Sequence, residues 1–309
     1  MTPTGSRPLR RVLARPTWPG NLPRPPAPHR LGVGYDTSWS RTPAARLGRA
    51  LVLDNLTRPA LRLLAAPNVT GLERLEPLTG PVVFVANHTS HLDTALVLAA
   101  LPVRFRHRCV VAAAADYFFD RHWKAALSSL TLATIPFERG RVNRQGTDLA
   151  AELLEAGWSV VIFDEGGRSP DGWGQRFRGG AAYLARRCTV PVVPVHLHGV
   201  RPLLPKGGGR LRPGRVEIRF GAPLRPLPGG EAGDRGEDAR RFAARIEEAV
   251  AVLADEAETD WWQARRRAAD GATPDPRGPE AAPWRRAWAL PESARTDLRR
   301  RRLGQAKPW

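Results

Sequence analysis

The sequence predicts an α/β fold with a largely parallel central sheet flanked by helices, and three observations carry that reading. Six apolar runs of strand length recur between residues 81 and 221, helical stretches separate them, and the runs are continuously apolar instead of alternating. Strands covered by helices on both faces lose the in–out alternation of a half-exposed sheet, and a strand–helix repeat is what a parallel sheet requires.

The elements follow in order. Residues 1–43, with "RPTWPGNLPRPPAPHR" at their centre, are too rich in Pro and Arg to close helical hydrogen bonds or bury a core, and they read as a flexible basic arm. Residues 44–66, within "TPAARLGRALVLDNLTRPALRLLAA", set Leu47, Leu51, Leu56, Leu63 and Leu64 among Arg46, Arg49, Arg58 and Arg62. That spacing predicts an amphipathic helix, or two short ones broken near Pro59, suited to contact with a membrane surface. Within residues 67–260 the strand candidates are 81–87, 109–115, 131–137, 158–164, 190–199 and 215–221. Helices are expected near 91–101, 117–130, 144–156 and 177–187, and a charged helix near 235–260. Prolines inside "VPVVPVHLHG" suggest an edge strand or one lining a pocket, and solvent-facing or hydrogen-bonded strand-end positions account for His196 and His198. Residues 261–309 read as a basic tail carrying Trp261, Trp262, Trp284 and Trp288.

The formal charge of +18 is uneven. Residues 1–45 hold seven Arg against one acid and residues 261–309 twelve basic groups against five acids, which leaves +5 for the middle of the chain. An anionic partner for the two ends is implied, and nucleic acid and anionic lipid both fit. Only three of the 48 basic residues are Lys, a compositional bias that lowers the weight of raw Arg counts. Cys109 and Cys188 have no CxxC partner and sit in or beside apolar runs, which suggests buried thiols in a reducing compartment. The first residues lack an apolar stretch of signal-peptide length, and no segment approaches the roughly 18–20 apolar residues of a spanning helix. The expected location is cytoplasmic, peripheral on the inner face of the cell membrane.

Three strand ends carry polar groups, and in parallel sheets active groups gather there. The first is "FVANHTSHLD", residues 84–93. His88 leaves a strand end and Asp93 lies five residues on, near enough to turn back to the ring and hold one tautomer of a general base. Asp93 or Ser90 as a plain helix cap is the bland alternative. A zinc set of His88, His91 and Asp93 is a weaker one, because no further His or Cys cluster completes it. The second is "VIFDEGGRSPDG", residues 161–172, where Glu165, Gly166, Gly167 and Arg168 suit a close-approaching anion and "SPDG" explains only a turn. The third is "TIPFERGRVNR", with Phe137, Glu138 and Arg139. Ser90 and Ser169 lie outside any G-x-S-x-G turn, which disfavours a serine hydrolase.

In spacing and order these segments resemble the glycerolipid acyltransferases typified by 1-acyl-glycerol-3-phosphate acyltransferase. The family's N-H-x4-D is "NHTSHLD" with Asn87, His88 and Asp93. "PFERG" resembles its second motif, and "FDEGGRS" resembles F-P-E-G-T-R-S with Asp164 for Pro and Gly167 for Thr. "VPVVPV" matches its fourth motif unaltered. The resemblance covers about residues 70–225. It implies acyl transfer from coenzyme A or acyl carrier protein to the hydroxyl of a lysophospholipid, most simply 1-acyl-glycerol-3-phosphate to phosphatidic acid, with no cofactor and no metal. His88 and Asp93 are then the catalytic pair, and Asn87, Phe137, Arg139, Glu165, Gly166 and Arg168 the substrate-binding set. The two departures in the third motif put the acceptor's headgroup in question. A nucleic-acid- or lipid-binding protein working through its basic arms is the competing reading. The absence of a recognisable DNA-binding motif and the placing of all four motifs in the weakly charged core count against nucleic acid.

Overall fold

The computed structural model describes residues 31–138, 144–169, 171–204, 210–227 and 235–278. Most of both basic ends, and Arg139, lie outside the described residues. Seven strands form one sheet in the order β1 (Asn68–Thr70), β7 (Glu217–Phe220), β6 (Val192–His198), β2 (Val83–Ala86), β5 (Ser159–Ile162), β3 (Cys109–Ala114) and β4 (Thr134–Phe137). All neighbours are parallel except β6 and β7.

Both faces of the sheet are covered, which is why the runs are apolar throughout. Phe84, Val193, Val195, Ile218 and Phe220 point to one side. There they meet α2 (Arg58–Ala65), α3 (Asp93–Ala100) and α4 (Val103–Arg106), with Phe84 edge-on to Phe105 and to Phe220. Val83, Val85, Val160, Ile162 and Val192 point to the other, against α7 (Arg144–Glu155), α8 (Gly180–Cys188) and α9 (Arg235–Glu258). Fully burying one such side chain is worth about 1.5–3 kcal/mol, so each two-sided strand is anchored from both directions. Beyond β3 lie α5 (Ala115–Phe118) and α6 (His122–Leu132).

Four expectations are decided by the structure. The first, left between one helix and two, concerns residues 43–65, which form a continuous helical run with no break at Pro59. α1 (Pro43–Val52) passes through a π-helical turn at Leu53–Thr57 into α2, and Arg58 donates to the carbonyl of Leu53. The wider turn swings carbonyls away from the proline ring, which removes the clash that breaks an ordinary helix. The second concerns β6, which is interior to the sheet. Val192 donates toward the β7 side (to Leu224) and Leu197 toward the β2 side (to Asn87), so alternate amides face opposite neighbours. The N–H that Pro194 lacks would therefore face the β7 side, just past Phe220, where β7 ends and the chain turns away at Gly221.

The third concerns the tail, which begins with a helix, α10 (Trp261–Ala269). Asp260 caps it, accepting from the backbone N–H of Gln263 at 2.8 Å, and Ala264 and an Arg267–Asp255 ion pair of 2.7 Å dock it on α9. The last concerns His196, expected at a solvent-facing or hydrogen-bonded strand end. Its Nδ1 is shielded and without a hydrogen-bond partner, and burial, with His198 and Arg219 nearby, pushes its pKa down to about 3.

Among the described residues no helix is long and apolar enough to cross a membrane. The leucines of the N-terminal helical run are outward instead: Leu47, Leu51, Leu56 and Leu63 are exposed, the last at 87%, while Leu53 and Leu61 are buried. The helix α6, which packs against α1, also exposes Trp123, Leu127 and Leu130 at helical spacing.

Candidate active site

The ends of the adjacent strands β2 and β5 meet, and the site is built there. After Ala86 the chain turns at residues 87–92 before α3 opens with Asp93. The Asp93 carboxylate, fully buried, folds back into that turn. Its Oδ2 accepts from the backbone N–H of Thr89 at 2.6 Å and of Ser90 at 2.8 Å, and lies 2.9 Å from Nδ1 of His88. The α3 N-terminus adds its positive end to the same charge. Asp93 is thus no cap of its own helix. It caps the preceding turn and fixes His88 with Nδ1–H donating, which leaves Nε2 as the ring nitrogen able to take a proton.

Three further contacts hold His88. Its backbone N–H donates to Oε1 of Glu165 at 3.2 Å, its carbonyl accepts from the N–H of Ser169 at 2.7 Å, and its ring stacks on Phe163 at 4.2 Å between centroids. Phe163 is a site residue to which the motifs give no role, and its position as the first residue past β5 is the signal for it. One face of the imidazole is apolar as a result, which keeps water from competing at that side.

Glu165 is buried, and its Oε2 accepts from Nε2 of Gln175 at 3.4 Å, so both carboxylate oxygens brace the loop. Gly166 has φ +72°, a conformation that strains any side chain, and a Cβ there would also push on the Arg178 side chain. The Arg168 guanidinium lies 5.5 Å from the centre of the Tyr117 ring. Lys124 lies 5.7 Å from the same centre, paired with Asp120 at 2.8 Å, and the His91 ring is 5.7 Å away. The Arg168 cation over this exposed tyrosine, next to His91, makes an anion-attracting rim. Burial first, then Arg168 and His88, hold the pKa of His91 below its usual value, which keeps that imidazole neutral near pH 7.

The other expected residues lie differently. Asn87, assigned to substrate, has both ends of its amide engaged: Nδ2 donates to the carbonyl of Leu197 at 3.0 Å and Oδ1 accepts from the N–H of Leu197 at 2.8 Å. It prolongs the β2–β6 pairing by one side chain, and so positions the His88 turn. Phe137 is on the edge strand β4, three strands from β2 or about 14 Å at ~4.8 Å per strand, and packs beside Gly146 of α7. The ends of β2 and β5 meet directly, and Phe137 on β4 is set apart from them. Arg139 lies outside the described residues.

Of the two departures in the third motif, Asp164 is turned away from the site. Its carboxylate sits at the start of α8, accepting from Gly179 N–H at 3.0 Å and Gly180 N–H at 3.1 Å, and burial pushes its pKa up to about 6. Gly167 leaves open space, since a Cβ there would meet nothing. For metals, no group of three His, Cys, Asp or Glu side chains among the described residues is arranged to hold an ion. Cys109 is buried with its thiol pKa pushed up to about 12, and Cys188 is half-buried.

Residues 66–198 match the Acyltransferase family model. The chain is 32% identical over 160 residues to a chloroplastic 1-acyl-sn-glycerol-3-phosphate acyltransferase of Arabidopsis thaliana, covering 51% of this chain and 43% of that protein. It is 33% identical over 180 residues to a 1-acyl-sn-glycerol-3-phosphate acyltransferase of Chlamydomonas reinhardtii, covering 57% and 51%. The chain thus spans about half the length of the curated relatives it matches. The crystal structure of the 1-acyl-sn-glycerophosphate acyltransferase PlsC from Thermotoga maritima superposes with a TM-score of 0.53 at 24% identity, over 74% of this chain and 85% of that one, a likeness of fold. The matched segment contains the ends of β2 and β5 and the His88–Asp93 pair, and in it this chain is similar to the acyltransferases.

Proposed function

We propose that the protein transfers a fatty acyl group from the thioester of acyl-CoA or acyl carrier protein to the hydroxyl of 1-acyl-glycerol-3-phosphate, forming phosphatidic acid. The observation that carries this reading is the 2.9 Å His88–Asp93 pair, braced by Glu165, inside the segment that matches the family. The names of the relatives supply the acceptor.

Nε2 of His88 takes the proton of the acceptor hydroxyl as its oxygen attacks the thioester carbonyl. The tetrahedral intermediate then collapses with loss of the C–S bond, and the departing thiolate takes the proton from the imidazolium. Asp93 holds the tautomer and stabilises the transient positive ring. The acceptor is itself the alcohol, so the route needs no acyl-enzyme, cofactor or metal. Arg168 attracts the acceptor phosphate, and Arg139 belongs to the same proposed set by motif position. Asp164, committed to α8, takes no part in choosing the headgroup. Gly167 leaves open the space a threonine would fill.

The exposed leucines of residues 43–65 and the Trp123–Leu130 stripe of α6 support docking on an anionic membrane face. Trp123 adjoins Lys124 at the rim of the site, so the apolar stripe leads from the bilayer to the place where the acyl chain is needed. Arginines of the two basic ends near such a surface add about 1 kcal/mol each. In this arrangement residues 67–260 are the catalytic domain, working on the cytoplasmic face of the membrane.

The test is acyl transfer from radiolabelled acyl-CoA, or acyl carrier protein, to lysophosphatidic acid on anionic vesicles, with His88→Ala beside the wild type. A loss of about 10²- to 10⁴-fold is expected for removal of a general base. A folded wild type inactive with every lysolipid and both donors sinks the proposal and promotes a binding role.

A further inference from the structure

The loop that follows β5 is tied to a part of the chain far outside the family-matched segment. The N–H of Gly174 donates to the carbonyl of Pro276 at 2.8 Å. Gly278, at φ +82°, packs flat on the Trp173 indole, so close that a Cβ there would fall 2.4 Å from the ring. The strap that delivers these contacts is anchored at its other end: α10 is docked on α9 by Ala264 and the Arg267–Asp255 ion pair, and Ala272 N–H donates back to the carbonyl of Arg267 at 2.7 Å. A turn closed by Asp275 and Arg277 shapes the tip, with Gly278 N–H donating to the carbonyl of Asp275 at 3.2 Å.

What the strap grips bears on His88. Gln175 is the residue after Gly174, and its Nε2 donates both to Oε2 of Glu165 at 3.4 Å and to the carbonyl of Gly167 at 2.9 Å. Glu165 in turn accepts from the backbone of His88. On the near side of the grip, Asp171 accepts at Oδ1 from Ser169 Oγ at 3.1 Å and from Trp173 N–H at 3.2 Å, and Ser169 bonds the carbonyl of His88. The loop is thus fixed at Asp164 by α8, at Glu165 and Ser169 by the His88 turn, at Asp171 by Arg201, whose guanidinium donates to its carbonyl, and at Trp173–Gly174 by the strap. The first three anchors lie within the family-matched segment, the fourth comes from just past it, and the last is supplied by residues 276–278.

We propose that Trp173, Gly174 and Gln175 are positioning residues, clasped by Pro276 and Gly278, which hold the 163–169 loop in the geometry that binds the acyl acceptor. This rests on the acyltransferase reading of that loop. It makes the chain beyond α9 part of the working site, acting through Gln175 and Glu165 without touching substrate.

The experiment uses the full chain with Gly278→Ala, Trp173→Ala, the pair together and Trp173→Phe. The added methyl of Gly278→Ala cannot coexist with the indole, and alanine resists φ +82°, so the strap tip should lift. Amide hydrogen exchange is expected to rise across residues 163–175 in both single variants. The kcat/KM for lysophosphatidic acid is expected to fall about tenfold or more through KM, as small misplacements at a site do, with KM for acyl-CoA within about twofold of wild type. The double variant should be no worse than the worse single, because both remove one contact, and Trp173→Phe should recover most of the loss. Unchanged exchange in the loop overturns the clasp. Raised exchange with unchanged acceptor kinetics, additive losses, or a fall in melting temperature alone overturns its role in positioning. If the wild type transfers no acyl group, the enzymatic reading has failed, and hydrogen exchange still decides whether the strap holds the loop.

Discussion

Replacing Asp93 by Asn removes one charge with almost no change in volume, which makes it the sharpest probe of the site. Oδ2 of Asp93 accepts from Thr89 N–H, Ser90 N–H and His88 Nδ1. When His88 takes the acceptor's proton, the imidazolium and the carboxylate lie about 4 Å apart between charge centres, worth about 4 kcal/mol at an effective dielectric constant near 20. At about 1.36 kcal/mol per decade that is roughly a 10³-fold fall in kcat/KM. Stability should also suffer. Oδ1 of Asp93 is buried without a hydrogen-bond partner, and an asparagine NH₂ in that place is a buried donor costing about 1–3 kcal/mol. The assay is acyl transfer to lysophosphatidic acid on anionic vesicles, paired with a thermal melt. If Asp93 served only to cap the 88–90 turn, the melt would drop and the rate per folded molecule would stay within about tenfold of wild type. That result would refute the proposed role in stabilising the imidazolium.

Two other perturbations test separate parts of the structure. Asp164 has a folded pKa raised to about 6 from an ordinary 3.8, so the folded state holds the proton longer than the unfolded state does. Stability linked to this group is present below about pH 4 and lost as pH rises through about 6, by about 3 kcal/mol at 1.36 kcal/mol per pH decade. Melting curves of wild type and Asp164→Asn, subtracted across pH 3–8, should show that slope, and a flat difference would contradict the buried, α8-bound carboxylate. At the surface, Leu56→Asp with Leu63→Asp changes two side chains exposed at 66% and 87%, so the fold should survive. Losing the burial of two leucines, at about 1.5 kcal/mol each, should weaken co-sedimentation with anionic vesicles by about 10²-fold. Unaltered co-sedimentation would show that this face is not the one that meets lipid.

The strand ends, the helices between them and the His88–Asp93 pairing were all legible in the residue order. They depend on local causes: two-sided burial makes a run continuously apolar, and five residues across a strand-to-helix turn bring a carboxylate back to an imidazole. Strand β1, three residues long, is too short to show a period, and α10 was lost in a stretch read for its arginines although Asp260 and Gln263 mark its start. Pro59 left one helix and two both open, and the π-helical turn that absorbs it has no signature in the sequence.

The remaining features depend on sheet order, which no window of sequence carries. Asn87 was drawn toward substrate until β6 came to lie beside β2 and Leu197, 110 residues away, took both ends of its amide. Glu165 supports His88 across 77 residues because β5 inserts between β2 and β3, and the same insertion sets Phe137 apart. Asp164 and Trp173 are of the same kind: one meets the start of α8 and the other a strap a hundred residues downstream, so chain packing alone gives each its partner. Chemistry confined to one turn is written in residue type and spacing, whereas contacts between distant segments exist only once the whole chain has chosen which strands are neighbours.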